Sequence, residues 1–257
     1  MQRSPDSHKG ENGKVAVVGG SRSMHGAPLL AALAAEASGV DLVFVCLPAC
    51  HEEVAKETSL NMQVHPFRGD DLKAADREPI LELLATMDSA VIGPGIARTS
   101  SSIAAVGDII AEATCALVLD AAALQKDTLD KVRGKNVVLT PHLGELERMG
   151  LTQEKLPSIA AERSVTFLLK GTTDHIAGAG GTEQISGGNA GLTVGGTGDA
   201  LAGLIAGLIA QGEHPFQACT RASSTIKKAG ELLFLDVGYA YTARDVITQI
   251  PHLLAHD

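Results

Sequence analysis

Six short apolar runs rich in β-branched residues set the strongest limit on the fold of this chain. They lie at 14–20, 41–48, 89–95, 115–121, 136–142 and 166–171. Near-continuous apolar runs of this length are typical of strands buried on both faces of a parallel sheet. Segments with helical spacing lie between them, as at 27–38 and 78–87. The alternation predicts an α/β fold with a doubly wound, mostly parallel sheet and helices on both faces.

The pattern changes after residue 171. Residues 173–188 predict a β-hairpin that turns around 178–181, and apolar helices follow to the end of the chain. The segment 243–257 predicts a closing helix with a kink or break at Pro251. Without a linker or a repeat, the whole chain from 1 to 257 is expected to form a single domain, with a flexible N-terminus at 1–13.

Composition narrows the class of ligand. The formal net charge is −9, which argues against a broad surface for nucleic acid or anionic membranes and favours a small-molecule partner.

The N-terminus has no apolar signal region, and the longest apolar helical stretch, 200–210, is shorter than the ~20 residues that cross a bilayer. The four cysteines lie in apolar segments and have no paired spacing, which indicates buried free thiols rather than a zinc site and a reducing, cytoplasmic setting: Cys46, Cys50, Cys115 and Cys219.

A glycine-rich turn before an apolar helix is the strongest candidate for chemistry. Gly195, Gly196, Thr197 and Gly198 expose successive backbone N–H groups at a helix N-terminus, which together predict an anion hole. Asp199 is the one charged residue between 188 and 212, and beside such a hole it could accept a proton from a substrate hydroxyl. The alternative is that Asp199 only caps the helix, which would leave the glycines around it unexplained.

Two glycines inside that helix carry a structural prediction. Gly203 and Gly207 lie one turn apart and each costs roughly 1 kcal/mol relative to Ala in a helix interior. Close packing against the sheet or a neighbouring helix is therefore expected at both.

Other candidates follow the ends of predicted strands. Lys170 ends an apolar run and precedes Gly171, Thr172 and Thr173, so a cation and two hydroxyls could meet a nucleotide phosphate, although a solvated strand-end lysine is the alternative. His142 and Glu145 follow another strand and should face the same crevice, since functional groups gather at the carboxyl ends of parallel strands. The glycine turn at 91–95 would let a bulky ligand approach the backbone.

With these residues in place, the chain resembles the ADP-dependent NAD(P)H-hydrate dehydratase family, a ribokinase-like group that repairs damaged nicotinamide cofactors and also occurs as the C-terminal domain of a bifunctional repair enzyme. The stretches that carry the resemblance run in the family's order from residue 8 to about 212. They are "HKGENGKVAVVGGSRSMHGA", "AVIGPG", "LVLDAAAL", "VVLTPHLGE", "LLKGTT" and "GNAGLTVGGTGDALAGLIAGLIAQG". The last is the most specific.

The resemblance implies a role for each matching position. Asp199 would be the catalytic base and would line the site for the hydrated dinucleotide together with Ala27, Gly95 and His142. The residues implied to hold ADP are Lys170, Gly171, Thr172, Thr173, Asp174 and Gly198. Asn189 and Glu145 would support the site.

The implied reaction is the dehydration of hydrated NADH or NADPH with ADP as phosphoryl donor and Mg²⁺ as cofactor. The family also implies a homo-oligomer, specifically a tetramer, and cooperation with an epimerase that acts on the hydrate.

Three departures from the family pattern affect the site's details. Leu143 stands where the family usually has Pro, Ala122 stands where many members have Asp, and the segment between Glu145 and Lys170 is short. None of them removes the base or the anion hole. The lost carboxylate at Ala122 is expected to alter a water or magnesium contact, and the short segment to reshape one wall of the site.

Without the resemblance, the residues alone predict a phosphoryl-transfer site with a base on an α/β fold. A kinase for a vitamin-precursor alcohol, such as a hydroxyethylthiazole or a hydroxymethylpyrimidine, fits that description too. A nucleotide-binding regulator without catalysis fits less well, because it would have no use for an acid at Asp199.

Overall fold

A computed structural model describes residues 4–255, and within them nine strands form one sheet in the order β3-β2-β1-β4-β5-β6-β7-β8-β9. The first seven strands pair in parallel, whereas β8 and β9 are antiparallel to their neighbours. The strands are β1 (Lys14–Val18), β2 (Leu42–Cys46), β3 (Met62–Val64), β4 (Ser89–Ile92), β5 (Ala116–Leu119), β6 (Val137–Leu139), β7 (Thr166–Leu169), β8 (Asp174–Gly178) and β9 (Gly181–Ile185).

The longer helices connect and cover these strands. They are α1 (Gly26–Ala37), α2 (Glu52–Thr58), α3 (Arg77–Leu84), α4 (Ser100–Glu112), α5 (Thr128–Lys131), α6 (Leu143–Arg148), α7 (Leu156–Arg163), α8 (Thr197–Ala210), α9 (Pro215–Val237) and α10 (Ala243–Leu254). Short 3₁₀ helices follow β5 at Ala121–Ala123 and precede α8 at Ala190–Thr193. The predicted doubly wound α/β fold is confirmed.

All six predicted apolar runs are strands of the parallel part of the sheet. The sequence missed β3, which has only three residues, one of them the exposed Gln63, and lies at the edge of the sheet. An edge strand is not buried on both faces, so it lacks the continuous apolar run that marks the central strands.

Each face of the sheet has its own apolar core, and the alternation along β1 shows how they are divided. Val15 and Val17 belong to the core beneath α1, α8, α9 and α10. Ala16 and Val18 belong to the core beneath α3, α4, α6 and α7. Successive side chains of a strand point to opposite faces, so one central strand supplies both cores.

The packing of α8 confirms the prediction for its two glycines. A Cβ on Gly203 would lie 1.9 Å from the carbonyl oxygen of Ala31, and one on Gly207 would lie 2.1 Å from Ser38 Oγ. Both contacts are made with α1 or the residue that caps it. The glycines allow the two helices to approach closely, and this contact positions the N-terminus of α8 over the sheet.

The predicted hairpin is formed by β8 and β9. Of the kink or break predicted at Pro251, the break is wrong, because the helix is continuous there. α10 continues to Leu254, and the Ala255 N–H donates to the Pro251 carbonyl oxygen at 3.1 Å. Pro251 lies in the last turn, where its missing N–H removes one bond near the end of the helix instead of interrupting its middle. Residues 256–257 of the predicted helix lie outside the described residues.

The ends of the chain and its thiols complete the description. Residues 1–3 of the predicted flexible N-terminus lie outside the described residues. Later in the same segment, the backbone N–H groups of Gly10 and Asn12 donate to Asp41 Oδ2 at 2.8 and 3.0 Å. The four cysteines are free thiols, but burial was predicted for all of them and holds only for Cys46 and Cys219, since Cys50 is exposed and Cys115 is partly exposed. None of the helices between residues 4 and 255 has both the length and the apolar character needed to cross a membrane.

Candidate active site

The candidate catalytic groups meet at the carboxyl ends of three neighbouring strands. Asp120 follows β5, His142 and Glu145 follow β6, and Lys170 follows β7. A backbone bridge fixes the last two loops together, because the Lys170 N–H donates to the Pro141 carbonyl oxygen at 2.8 Å. The N-terminal turn of α8 brings Asp199 to the same place. The parallel arrangement thus gathers groups that are up to 79 residues apart in the chain.

Lys170 is the centre of this cluster. Its Nζ lies 2.7 Å from Asp120 Oδ1 and 3.8 Å from Glu145 Oε2, and its side chain is 18% exposed. Burial opposes the charged ammonium, yet the nearby carboxylates of Asp120, Glu145 and Asp199 hold the pKa of Lys170 above its ordinary value. Lys170 is therefore a buried cation among acids, not a solvated lysine at a strand end.

Asp199 is the third residue of α8, and Gly196, not Asp199, occupies the N-cap position. Burial raises the pKa of the Asp199 carboxyl to about 7, and the negative charges of Asp120 and Glu145 add to that effect while Lys170 opposes it. Among the described residues, no donor forms a hydrogen bond to its carboxylate. The acid is therefore poised to exchange a proton near neutral pH, which is what a general base requires.

The turn before α8 presents its backbone N–H groups outward. Gly196 has a φ of 99°, and a Cβ there would lie 2.3 Å from Leu30 Cδ1, so only glycine fits. Thr197 N–H donates to the Val194 carbonyl oxygen at a long 3.4 Å. Within residues 4–255, the N–H groups of Gly195, Gly196, Gly198 and Asp199 have no acceptor. They are available to an anion.

Gly198 connects this turn to Lys170. A Cβ at Gly198 would lie 3.5 Å from Lys170 Nζ, so the free N–H groups and the ammonium share one small region. The first turn of a helix also carries partial positive charge. A phosphoryl group placed here would meet backbone donors and a cation together, with Asp199 next to them.

His142 and Glu145 form a reciprocal cap at the start of α6. His142 Nδ1 accepts from the Gly144 N–H at 3.1 Å, and Glu145 Oε2 accepts from the His142 N–H at 3.0 Å. Because Nδ1 accepts, the proton of a neutral imidazole is on Nε2, which lies 3.5 Å from Glu145 Oε1. The His142 side chain is 55% exposed, so its ring remains open to a ligand while Glu145 is buried.

Five of the six predicted nucleotide residues run from the end of β7 to the start of β8, and Gly198 lies in α8. The side chains of the five differ in availability. Gly171 and Thr172 are exposed, and Thr173 Oγ1 lies 3.2 Å from Ser186 Oγ. The Asp174 carboxylate is already engaged, since it accepts from the Gly171 N–H at 2.8 Å and from the Ser223 hydroxyl at 2.6 Å. Asp174 is therefore placed to shape the loop.

Asn189 supports the approach to the glycine-rich turn. Its Nδ2 donates to the Gly230 carbonyl oxygen at 2.7 Å, while its Oδ1 accepts from the Gly191 N–H and from the Tyr241 hydroxyl. These bonds connect the short 3₁₀ helix before α8 to α9 and to the chain before α10.

A cavity of about 640 Å³ lies beside this cluster, at the ends of β1, β4 and β5. Gly95 lines it, and a Cβ on Gly95 would lie 3.2 Å from the Cβ of Ala27. Ala122 also lines the cavity, and the preceding Ala121 has a φ of 52°. Gly95 thus lines the cavity and the buried Ala27 lies next to it, whereas His142 and Asp199 lie at the Lys170 cluster.

Asp120 connects the two regions and was not singled out from the sequence. Its side chain holds Lys170, while its carbonyl oxygen would lie 1.9 Å from a Cβ on Gly93, which lines the cavity. The signal was present, because an acid directly follows the buried run "LVL" at a strand end. The segment between Glu145 and Lys170 that the sequence marked as short contains the end of α6, all of α7 and β7.

A resident metal site built only from protein side chains is absent from residues 4–255: no three His, Cys, Asp or Glu side chains are arranged to hold an ion. The Asp120 carboxylate is already bonded to Lys170, and Glu145 caps α6. The side chains therefore do not form a Mg²⁺ cage.

Comparison with known proteins agrees with this geometry. A family model described as NAD(P)H-hydrate dehydratase matches residues 15–252. The chain is 36% identical to an ADP-dependent (S)-NAD(P)H-hydrate dehydratase of Cenarchaeum symbiosum, over 98% of this chain and 92% of that protein. It is also 36% identical to a bifunctional NAD(P)H-hydrate repair enzyme of Methanocaldococcus jannaschii, of which it covers 50%.

A solved structure extends the likeness to three dimensions. The ADP/ATP-dependent NAD(P)H-hydrate dehydratase of Bacillus subtilis, co-crystallised with ATP and Mg²⁺, superposes with a TM-score of 0.85 at 31% identity, over 99% of this chain and 93% of that one. A hydroxyethylthiazole kinase of Pyrococcus horikoshii has a TM-score of 0.63 at 18% identity, a likeness of fold alone. The chain belongs to the NAD(P)H-hydrate dehydratase family.

Proposed function

We propose that this protein uses ADP to dehydrate the hydrated forms of NADH and NADPH, returning the reduced dinucleotide with AMP and phosphate. One observation carries the proposal: the Asp199 carboxyl, with its pKa raised to about 7, lies at the N-terminus of α8 among free N–H groups and near Lys170. A base, an anion hole and a cation are what phosphoryl transfer to a hydroxyl requires.

In the first step, Asp199 takes the proton of the hydroxyl on the hydrated pyridine ring. The hydroxyl oxygen then bonds to the β-phosphorus of ADP, the bond from that phosphorus to the bridging oxygen breaks, and AMP leaves. Lys170 and the N–H groups of the glycine-rich turn stabilise the charge on the phosphoryl oxygens. The protein's contribution is the position and charge of these groups.

In the second step, the bond between the ring carbon and the ester oxygen breaks, and the phosphate leaves. The lone pair of the adjacent ring nitrogen expels phosphate, and loss of a proton from the neighbouring carbon restores the dihydropyridine. Phosphate is a much better leaving group than hydroxide, which is why a kinase-like site can serve a lyase.

Mg²⁺ would shield the phosphate charge during transfer. Since the described side chains do not form a cage for it, the nucleotide phosphates would provide much of its coordination, as is common for Mg²⁺. No step above depends on a protein ligand to the metal.

The remaining roles are assigned by position. Lys170, Gly171, Thr172, Thr173, Asp174 and Gly198 would form the ADP site, and Ala27, Gly95 and His142 would contact the hydrated dinucleotide. The cavity beside Gly95 is large enough for a substantial part of a dinucleotide. A homo-oligomeric state, a tetramer in particular, a cytoplasmic location and cooperation with an epimerase are further predictions of the resemblance.

The test is to incubate the protein with hydrated NADH and ADP and to separate the products by chromatography. We expect one NADH, one AMP and one phosphate for each ADP consumed. A stable thiazole or pyrimidine phosphate formed from the corresponding alcohol, with hydrated NADH untouched under ADP or ATP, would instead establish the vitamin-precursor kinase and contradict the proposal.

A further inference from the structure

A second buried lysine lies behind the proposed nucleotide loop, on a helix that the sequence did not connect with the site. Lys227 belongs to α9, and only 6% of its surface is exposed. Its aliphatic chain passes beneath the turn at Gly188, whose Cβ, if present, would lie 3.4 Å from Lys227 Cγ. The chain therefore carries the ammonium from α9 to the underside of the loop at 171–174.

The ammonium has two hydrogen-bond acceptors and one ion-pair partner there. Lys227 Nζ donates to the carbonyl oxygens of Gly171 and Thr172, at 3.2 and 3.0 Å, and lies 3.5 Å from Asp174 Oδ1. Asp174 is buried as well, and Ser223 donates to its second oxygen at 2.6 Å. These contacts tie the loop to α9 through both the lysine and the aspartate.

The direction of the Gly171 and Thr172 carbonyls determines which backbone N–H groups the loop presents to a ligand. In a trans peptide the carbonyl and the N–H of the next residue point in opposite directions. When the Gly171 and Thr172 carbonyls point to Lys227, the N–H groups of Thr172 and Thr173 point away from it. Among the residues that the structure describes, these two N–H groups have no acceptor, and Thr172 is exposed.

We propose that Lys227 is a positioning residue that turns two peptide units of the nucleotide loop so that the N–H groups of Thr172 and Thr173 face the phosphates of ADP. It acts from behind the loop and touches no substrate. The proposal rests on the proposed function only in taking the loop as the ADP site. It adds a residue that influences nucleotide affinity from α9, away from the strand ends where the catalytic candidates lie.

The experiment compares Lys227→Met with Lys228→Met, its exposed neighbour on the same helix. ADP binding is measured by isothermal titration without hydrate, and both Michaelis constants are measured during turnover. We expect Lys227→Met to weaken ADP binding and raise the KM for ADP by roughly tenfold, with the KM for hydrated NADH changed less than about twofold. Lys227→Arg should recover part of the loss, and Lys228→Met should match the unmodified protein.

Ser223→Ala provides a second route if Lys227→Met does not fold. It keeps the lysine but removes one hydrogen bond from Asp174, and we expect ADP binding to weaken by about threefold. Unchanged ADP affinity in Lys227→Met, or in Ser223→Ala where the first variant is unfolded, would overturn the proposal. An equal rise in both KM values would also overturn it. An unmodified protein that binds no ADP would refute the proposed function itself and this inference with it.

Discussion

Two buried lysines lie near the same nucleotide loop, and their surroundings differ in charge. Lys170 is close to Asp120 and Glu145 and also interacts with Asp199, so acids outnumber the cation. Lys227 faces one carboxylate, Asp174, and two backbone carbonyls, so its charge is matched one to one. Both lysines belong to polar networks, and the network of Lys170 includes the Asp199 carboxyl, whose pKa is raised.

The difference shows that the Lys170 cluster belongs to the reactive part of the site, whereas the Lys227 contacts support the loop. At Lys170, burial together with the unmatched negative charge raises the pKa of Asp199 to about 7. At Lys227 the ammonium bonds to two backbone carbonyls and pairs with one carboxylate, an arrangement that holds the loop in place. The predictions below test this contrast, beginning with the largest expected effect.

The first prediction removes the reactive carboxyl. Asp199→Asn should lower turnover by at least ~10², because the amide cannot take the substrate proton. ADP binding, measured by titration, should be retained. Asp108→Asn, which changes an exposed carboxylate on α4, serves as the matched control and should leave turnover intact. Near-normal turnover in a folded Asp199→Asn protein would remove the acid from the mechanism.

The second prediction removes the cation of the charge-rich cluster. Lys170→Ala should weaken ADP binding by roughly 1.5–3 kcal/mol, the range for hydrogen bonds to charged groups. Isothermal titration measures the effect, with the exposed Lys155→Ala as control. An unchanged ADP affinity in Lys170→Ala would mean that this lysine does not contact the nucleotide.

The third prediction concerns pH. A base must be deprotonated, so the rate should rise with pH through about 7, the pKa of Asp199. The Asp120 charge raises that pKa and the Lys170 charge lowers it. Asp120→Asn should therefore move the acidic limb of the pH–rate profile to lower pH, and Lys170→Met to higher pH, each by roughly one unit. Shifts in the same direction for both variants would contradict this electrostatic account.

The fourth prediction separates the dinucleotide site from the nucleotide site. His142→Asn keeps a side-chain acceptor for the cap of α6 but removes the exposed ring, so it should raise the KM for hydrated NADH by roughly threefold to tenfold. ADP affinity should change much less. Steady-state kinetics give the KM for the hydrate, and titration gives the ADP affinity. A larger loss of affinity for ADP than for the hydrate would show that His142 belongs to the ADP site.

The candidate site was predictable to the extent that its residues follow apolar runs. Lys170, His142 and Glu145 each follow a strand of the parallel sheet. The carboxyl ends of neighbouring parallel strands lie at the same edge of the sheet, so these residues lie close together. Asp120 satisfied the same rule and was missed. Lys227 had no comparable signal, because a lysine in the middle of a long helix is usually solvated.

The sequence by itself determined the parallel sheet, the glycine-rich turn before α8 and the acid within it. These follow from local patterns: continuous apolar runs, glycines that permit positive φ, and an apolar helix that begins directly after the glycine-rich turn. Only the tertiary structure decided how many acids surround Lys170, that Asp174 faces inward, and that Lys227 reaches the loop from α9. Those facts depend on distances between segments far apart in the chain, and burial and charge, which set a pKa, exist only once those segments are packed together.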